Sequence, residues 1–184
     1  MRILHSILLC SLCVFAPSTA FCGKKVELVI LHVNDTHGKM QPYEAGEWGE
    51  VGGIGRINFR AYEKMGVDAI TPGNGEFYVG IENLQKQAAR VSIPFIHANA
   101  LYRNHGNSIF PPYVIKEVNG IKIGILGLGL VRTWHNSSQK MTLGDPIEVA
   151  KKYAPELSAK VDLLIALTHI QAKNDSLLAA DDQI

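Results

Sequence analysis

Asp35 and His37 are the first pair of residues in the sequence whose side chains are suited to chemistry. They follow the end of the apolar run 28–33. If that run is a strand continuing through both residues, they point to the same side, because side chains two apart share a face of a sheet. A carboxylate oxygen beside an imidazole nitrogen favours zinc, manganese or iron over calcium. The alternative is a strand-end turn in which the Asp35 carboxylate accepts hydrogen bonds from backbone N–H groups.

A second polar cluster follows the next apolar run and has the composition of a sharp turn. The segment 72–76 reads Pro-Gly-Asn-Gly-Glu, and Gly and Asn tolerate unusual backbone angles. Such a turn can present the Asn74 carbonyl oxygen or the Glu76 carboxylate to a site. The same residues are also good turn formers without any further role.

His169 is the third candidate, since it follows the apolar run 161–167. A lone histidine is more often structural than a ligand. Here, however, three separate strand ends each carry a side chain able to bind a metal. Ligands bind open α/β sheets just beyond the carboxyl ends of the strands. The coincidence therefore favours a shared metal site.

The elements that must position these residues alternate between strand and helix. Asn119-Gly120, between two apolar runs, predicts a tight β-hairpin, and Asp145-Pro146 predicts the start of a helix. A long loop is expected over 39–53. The predicted strands are 26–33, 67–71, 94–98, 113–118, 121–128 and 161–167, and the predicted helices are 54–64, 81–91, one opening at 145–146, and 174–180. This order predicts an α/β fold whose sheet has mixed strand directions.

The N-terminus has the pattern of a cleavable secretory signal peptide over residues 1–20. Arg2 is followed by an apolar core at 7–16, too short for the ~20 residues that span a bilayer. The alternative, a retained membrane anchor, is disfavoured for that reason. A lipid anchor at Cys22 is disfavoured because the bulky Phe21 precedes it. We therefore expect a secreted or periplasmic protein in which Cys22 is the one remaining cysteine, so that no internal disulfide forms.

Charge and glycine spacing exclude two classes of function. The 18 Lys and Arg residues nearly balance the 17 Asp and Glu residues, and no basic stripe indicates a nucleic-acid polymer as partner. The glycines at 124, 127 and 129 do not have the spacing of a dinucleotide-binding loop, and no helix follows them directly. A nicotinamide-dependent oxidoreductase is therefore not expected.

These motifs together resemble the secreted 5′-nucleotidases of the calcineurin-like metallophosphoesterases. The resemblance rests on Leu31-His32-Val33-Asn34-Asp35-Thr36-His37-Gly38, on residues 67–77 (which look like the family segment ending Gly-Asn-His-Glu-Phe-Asp), on 93–99, on the hairpin, and on Leu167-Thr168-His169. It implies an incomplete αββα sandwich of mixed sheet layers, with residues 21–184 as a partial metallophosphoesterase domain. It also implies hydrolysis of phosphate esters such as nucleotides with two divalent metal ions, of zinc, manganese or iron type. By resemblance, Asp35 and His37 bind the first metal, and Asn74 and His169 bind the second.

The sequence departs from the family pattern at three places, so no catalytic residue is assigned. The family segment whose Gly-Asp supplies a metal-bridging aspartate is missing, because 60–66 runs straight into Val67. Gly75 stands where the family has a histidine that stabilises the transition state. The family's later Gly-His-x-His motif and its C-terminal nucleotide-recognition domain would lie beyond Ile184. The alternative to an active hydrolase is thus an inactive relic or fragment that retains a weak metal or ligand site.

Overall fold

The computed structural model describes residues 26–32, 42–44, 50–52, 55–129 and 139–181. The chain divides into two units, residues 1–30 and 31–184, and the helices and strands described here lie in the second. The strands are β1 (Pro42–Glu44), β2 (Glu50–Gly52), β3 (Ala100–Tyr102), β4 (Tyr113–Val118), β5 (Ile121–Gly129), β6 (Met141–Leu143) and β7 (Leu163–His169). The helices are α1 (Gly55–Lys64), α2 (Ile81–Ala88), α3 (Pro146–Ser158) and α4 (Ala172–Ala179), with a short 3-10 helix at Glu76–Val79.

The sheet that positions the site has three described strands in the order β4-β5-β7. β4 and β5 form the predicted hairpin, in which Asn119 and Gly120 have φ of 54° and 83°. Positive φ at both central residues is what a tight type I′ turn demands. β5 and β7 run parallel, with Gly129 and His169 as register partners at their carboxyl ends. The predicted mixed sheet is therefore confirmed.

The remaining strand pairs are short, and some differ from the predictions. The predicted loop over 39–53 contains β1 and β2, which pair with each other antiparallel. The predicted strands 67–71 and 94–98 reduce to one parallel bridge between Ile70 and Phe95. Ile70 N–H donates to the Pro94 carbonyl and Ile96 N–H donates to the Ile70 carbonyl, so the segments run side by side for one ladder step only.

The predicted buried strand over 26–33 is wrong for its described residues, 26–32. They belong to no strand, and Val29, Ile30 and Leu31 are 75%, 56% and 90% exposed. An apolar run becomes a strand only when a neighbouring strand accepts and donates its backbone hydrogen bonds. That partner is a tertiary feature, which the composition of the run does not specify.

α1 confirms the predicted helix 54–64, and its C-terminus leads directly into the next segment. Gly66 has φ of 75°, its N–H donates to the Glu63 carbonyl, and Val67 N–H donates to the Tyr62 carbonyl. This pair of bonds is a glycine-terminated helix cap, which satisfies carbonyls left over at the helix end. The chain thus passes from helix to the Ile70 bridge without an intervening strand.

The other helices begin and end near their predicted positions. The Asp145 carboxylate accepts hydrogen bonds from Ile147 N–H and Glu148 N–H, which caps α3 as expected. α2 ends at Ala88, three residues before its predicted end, and α4 begins at Ala172, two before its predicted start. In the described part of the chain, no helix is both long and apolar enough to cross a membrane.

Two apolar clusters bury the faces of these elements. The first joins the 3-10 helix, α2, the 95–110 region and β6, and contains Phe59, Phe77, Ile81, Leu84, Phe95, Ala100, Ile109, Phe110 and Met141. The second lies between α3, α4 and the β5–β7 sheet, and contains Ala98, Leu126, Leu128, Ala150, Leu157, Ile170 and Leu178. Leu157 reaches the sheet at Gly124, where an added Cβ would lie only 2.9 Å from its Cγ. α3 therefore packs directly on the sheet whose carboxyl edge ends at Gly129 and His169.

Candidate metal centre

Two of the predicted ligands, Asn74 and His169, come together at this edge. Asn74 Oδ1 lies 3.3 Å from His169 Nε2, although 95 positions separate the residues in the chain. Both side chains are half-buried. His169 ends β7, and Asn74 lies in the turn that follows the Ile70 bridge. The carboxyl ends of two segments therefore present an amide oxygen and an imidazole nitrogen to one point.

The turn that carries Asn74 is closed by Glu76. Gly73 N–H donates to Glu76 Oε2 at 2.9 Å, and the preceding Pro72 is fully buried. A Cβ added to Gly73 would lie 3.2 Å from both Glu76 Oε2 and His169 Cδ2. Glycine at 73 thus lets the turn approach the His169 ring closely. Glu76, an alternative ligand by sequence, uses one carboxylate oxygen to shape the turn.

The other two predicted ligands, Asp35 and His37, lie outside the described residues. Within the described ranges, no group of three or more His, Cys, Asp or Glu side chains gathers at one point. The described half of the candidate centre therefore consists of Asn74 and His169. Two atoms bound to one transition metal at about 2.1 Å each lie about 3 Å apart when their bonds are near-perpendicular. The 3.3 Å separation of Oδ1 and Nε2 fits that requirement.

The backbone just after His169 is strained. Gln171 has φ of 74° and ψ of 146°, a region that is essentially restricted to glycine. The segment around it is tied down on both sides: Thr168 Oγ1 donates to Asp175 Oδ1 at 2.7 Å, and Asn174 Nδ2 donates to the Ile170 carbonyl. These bonds hold the exit from β7 in one conformation, which limits the positions open to the His169 side chain.

The chain is similar to proteins named as 5′-nucleotidases and calcineurin-like phosphoesterases. No family model matches the chain. A protein named 5′-nucleotidase from Vibrio cholerae is 31% identical over 201 residues, covering 86% of this chain and 36% of that protein. The 5′-nucleotidase precursor from Thermus thermophilus superposes with a TM-score of 0.58 at 27% identity, covering 67% of this chain and 27% of that one. The calcineurin-like phosphoesterase YfkN from Bacillus subtilis gives 0.55 at 26% identity, over 60% and 37%.

The chain belongs to the 5′-nucleotidase family of the calcineurin-like phosphoesterases. The resemblance seen in the motifs and the predicted α/β fold are both confirmed. The chain spans about a third of the length of the curated relatives it matches.

Within this 5′-nucleotidase-family fold, Gly75 occupies a position that would accept a side chain. Its φ of −63° and ψ of −39° are ordinary right-handed helical values. A Cβ built there meets no other atom within 4 Å. Neither backbone conformation nor space therefore requires glycine at this position, in contrast to Gly73. The structure therefore gives no reason why the histidine that the resemblance implies at this position could not be present.

His97, in the segment that follows Phe95, is a buried histidine with 1% of its surface exposed. Its ring packs edge-on against Phe77 with centroids 5.7 Å apart. Among the described residues, His97 Nδ1 and Thr71 Oγ1 are buried and have no hydrogen-bond partner. Burial of the imidazole lowers the pKa of His97 from 6.5 to about 3, because desolvation disfavours its charged form.

The burial of His97 predicts acid sensitivity of the fold. The unfolded chain takes up a proton on His97 near pH 6.5, whereas the folded protein does so only near pH 3. This contribution to stability is complete above pH 6.5 and is lost as the pH falls, by up to about 1.4 kcal/mol per pH unit. Urea unfolding at pH 7.5, 6.5 and 5.5 measures the slope. His97→Gln should flatten it over that range, and equal slopes in both proteins would contradict the assignment.

Asn99 is a buried polar residue that sequence reasoning did not single out. It is 0% exposed, and its side chain bonds to backbone groups of Gly129 and Gly144. One asparagine at the end of an apolar run carries no motif, and both of its partners are distant in sequence. No local signal distinguishes it from an ordinary turn residue.

Proposed function

We propose that this domain binds divalent metal ions through Asn74, His169, Asp35 and His37 and hydrolyses phosphate esters of nucleotides, as a 5′-nucleotidase-type phosphoesterase. The observation that supports this most directly is the 3.3 Å approach of Asn74 Oδ1 to His169 Nε2 at the carboxyl edge of the sheet. The relative from Vibrio cholerae, named 5′-nucleotidase, supports a nucleotide as substrate.

The donor set suits a transition metal. An amide oxygen together with an imidazole nitrogen is a mixed ligand pair typical of manganese, zinc or iron. In our proposal, Asp35 and His37 complete the centre with a carboxylate and a second imidazole. Divalent metal of this kind supplies Lewis acidity toward a phosphate oxygen and lowers the pKa of a bound water.

The residues of this chain would then orient the ligands. The Gly73–Glu76 hydrogen bond fixes the turn, so that Asn74 Oδ1 already faces the imidazole before a ligand binds. The end of β7 holds His169, and the neighbouring strand β5 fixes that end through a parallel ladder. Preorganisation of this kind reduces the entropic cost of binding a metal and a phosphate.

A second candidate function is metal binding without efficient catalysis, and Gly75 is the observation that favours it. Glycine has no side-chain donor to stabilise charge on a phosphate in the transition state. Loss of one such donor raises a barrier by about 2.7–4 kcal/mol in well-studied hydrolases. The two candidates share the metal site and differ in turnover.

The test combines metal binding with hydrolysis. Calorimetric titration of the protein with Mn²⁺ should show saturable binding, which His169→Ala and Asn74→Ala weaken at least about 10-fold. His105→Ala is the matched control, because His105 is exposed and its Nδ1 accepts a hydrogen bond from the nearby Asn107 N–H, away from Asn74 and His169 in the sequence. Mn²⁺ binding that is absent, or unchanged in both site variants, would overturn the proposal.

Hydrolysis of adenosine 5′-monophosphate by the Mn²⁺-loaded protein separates the two candidates. Turnover that falls in His169→Ala and persists in His105→Ala supports the phosphoesterase. Saturable metal binding without turnover supports the non-catalytic alternative.

We also propose that the protein acts outside the cytoplasm, as the N-terminal pattern over residues 1–20 indicates. Those residues lie outside the part of the chain that the structure describes.

A further inference from the structure

The side chain of Asn99 makes a closed set of hydrogen bonds with the last residue of β5. Gly129 N–H donates to Asn99 Oδ1 at 2.9 Å, and Asn99 Nδ2 donates to the Gly129 carbonyl at 2.9 Å. The second Nδ2 hydrogen goes to the Gly144 carbonyl at 2.9 Å. Asn99 is completely buried. Every donor of the side-chain amide is therefore used, which is the condition for a buried amide to be stable.

This amide replaces a strand at the end of the ladder. β4 pairs with β5 only as far as the step between Tyr113 and Leu126. Beyond it, Gly127 N–H donates to the Pro112 carbonyl, and the Gly127 carbonyl accepts from Ala98 N–H. At Gly129 both backbone groups turn to the Asn99 side chain instead. The amide thus satisfies the same donor and acceptor that a neighbouring strand residue would satisfy.

The opposite edge of Gly129 faces the metal-site histidine. Gly129 and His169 are register partners in the parallel β5–β7 ladder. A backbone hydrogen bond also links Asn99 to the loop before α3, since Gly144 N–H donates to the Asn99 carbonyl at 2.9 Å. Asn99 therefore connects three chain segments at the point where β5 ends beside His169.

We infer that Asn99 is a positioning residue, which fixes the end of β5 and through it the place of the His169 imidazole relative to Asn74. The inference about metal affinity rests on the proposed function, while the inference about the place of His169 does not. Asn99 has no contact with Asn74 or His169 among the described bonds and acts through the Gly129 backbone.

Asn99→Asp is the sharpest substitution because it keeps the shape and removes the two donors. Its carboxylate would face the carbonyl oxygens of Gly129 and Gly144, which repel it. We expect the end of β5 to shift away from residue 99. The matched control is Gln85→Glu, the same chemical change at an amide that bonds the Ile109 carbonyl and the Tyr102 hydroxyl.

The readout is the side-chain ¹⁵N and ¹H NMR signature of His169 in metal-free protein at pH 7.5, assigned with His169→Gln. Asn99→Asp should shift these resonances, and Gln85→Glu should leave them in place even if it lowers stability equally. In Mn²⁺ titrations, Asn99→Asp should weaken binding about 10-fold, in the range found for residues that orient metal ligands. A folded Asn99→Asp protein with unchanged His169 resonances would overturn the inference.

A reciprocal measurement covers the case in which Asn99→Asp does not fold. His169→Gln should shift the ¹H and ¹⁵N signals of the Asn99 side-chain amide and leave those of Gln85 unchanged, since coupling acts in both directions. Unshifted Asn99 signals would refute the positioning role. If the His169 resonances respond to Asn99→Asp but no protein binds Mn²⁺, the positioning role stands and the proposed function fails.

Discussion

Gly75→His is expected to raise the rate of phosphate-ester hydrolysis by the Mn²⁺-loaded protein about 100-fold or more. The substitution supplies an imidazole donor beside Asn74, at the position where the resemblance to the family's Gly-Asn-His-Glu segment implies a histidine. The backbone there is right-handed helical, and a Cβ meets open space, so the gain is not offset by a clash. Initial rates with adenosine 5′-monophosphate, at saturating Mn²⁺, measure the effect.

Gly75→Ala is the control for the added side chain alone. It should leave the rate unchanged and should hold or slightly raise stability, because alanine restricts the unfolded chain more than glycine does. If the Gly75→His protein binds Mn²⁺ as the parent does but hydrolyses substrate no faster than Gly75→Ala, the missing histidine is not what limits the rate of hydrolysis.

Gly129→Ala is expected to destabilise the fold by about 3 kcal/mol, the upper end of the usual cost of overpacking. The new Cβ would lie 2.2 Å from His97 Nε2, which has no room to move because its ring is buried against Phe77. Gly129 cannot retreat either, since Asn99 holds its backbone on one side and β7 on the other. Urea unfolding at pH 7.5 measures the loss.

His97→Ala removes the obstacle and should rescue the substitution. In that background Gly129→Ala should cost under about 1 kcal/mol, which gives a coupling energy of about 2 kcal/mol between the two sites. Gly75→Ala again serves as the matched control, because its Cβ meets no neighbour. Additive effects of the 97 and 129 substitutions would mean that the clash is relieved in some other way.

Local patterns predicted those parts of the fold that local chemistry determines. The β4–β5 hairpin follows from Asn119-Gly120, whose positive φ values few other pairs adopt, and α3 begins where Asp145 can cap it. The run 26–33 failed as a predicted strand because strand formation depends on a partner distant in sequence. Val29, Ile30 and Leu31 are exposed, although the composition of the run is that of a buried strand.

In the candidate centre, too, some features follow from the local sequence and others depend on distant segments. The meeting of Asn74 and His169 follows from strand ends in family order, and their 3.3 Å approach agrees with that expectation. His97 and Asn99 could not be assigned from the sequence, because their surroundings are set by which backbone comes alongside them. Both are defined by Gly129, which lies about thirty positions further along the chain.

The glycines of β5 also determine how the layers of this protein meet. On one face, Gly127 lets the Ile96 carbonyl come within 2.7 Å of where a Cβ would stand, and on the other Gly124 admits Leu157. At Gly127 the contact with Ile96 is made by main chain, which has no rotamers to exchange, so thermal motion of side chains cannot widen that gap. The cost is entropic, since glycine loses the most freedom on folding. In return, the backbone at Ile96 is held close against β5, two residues before that strand ends beside His169.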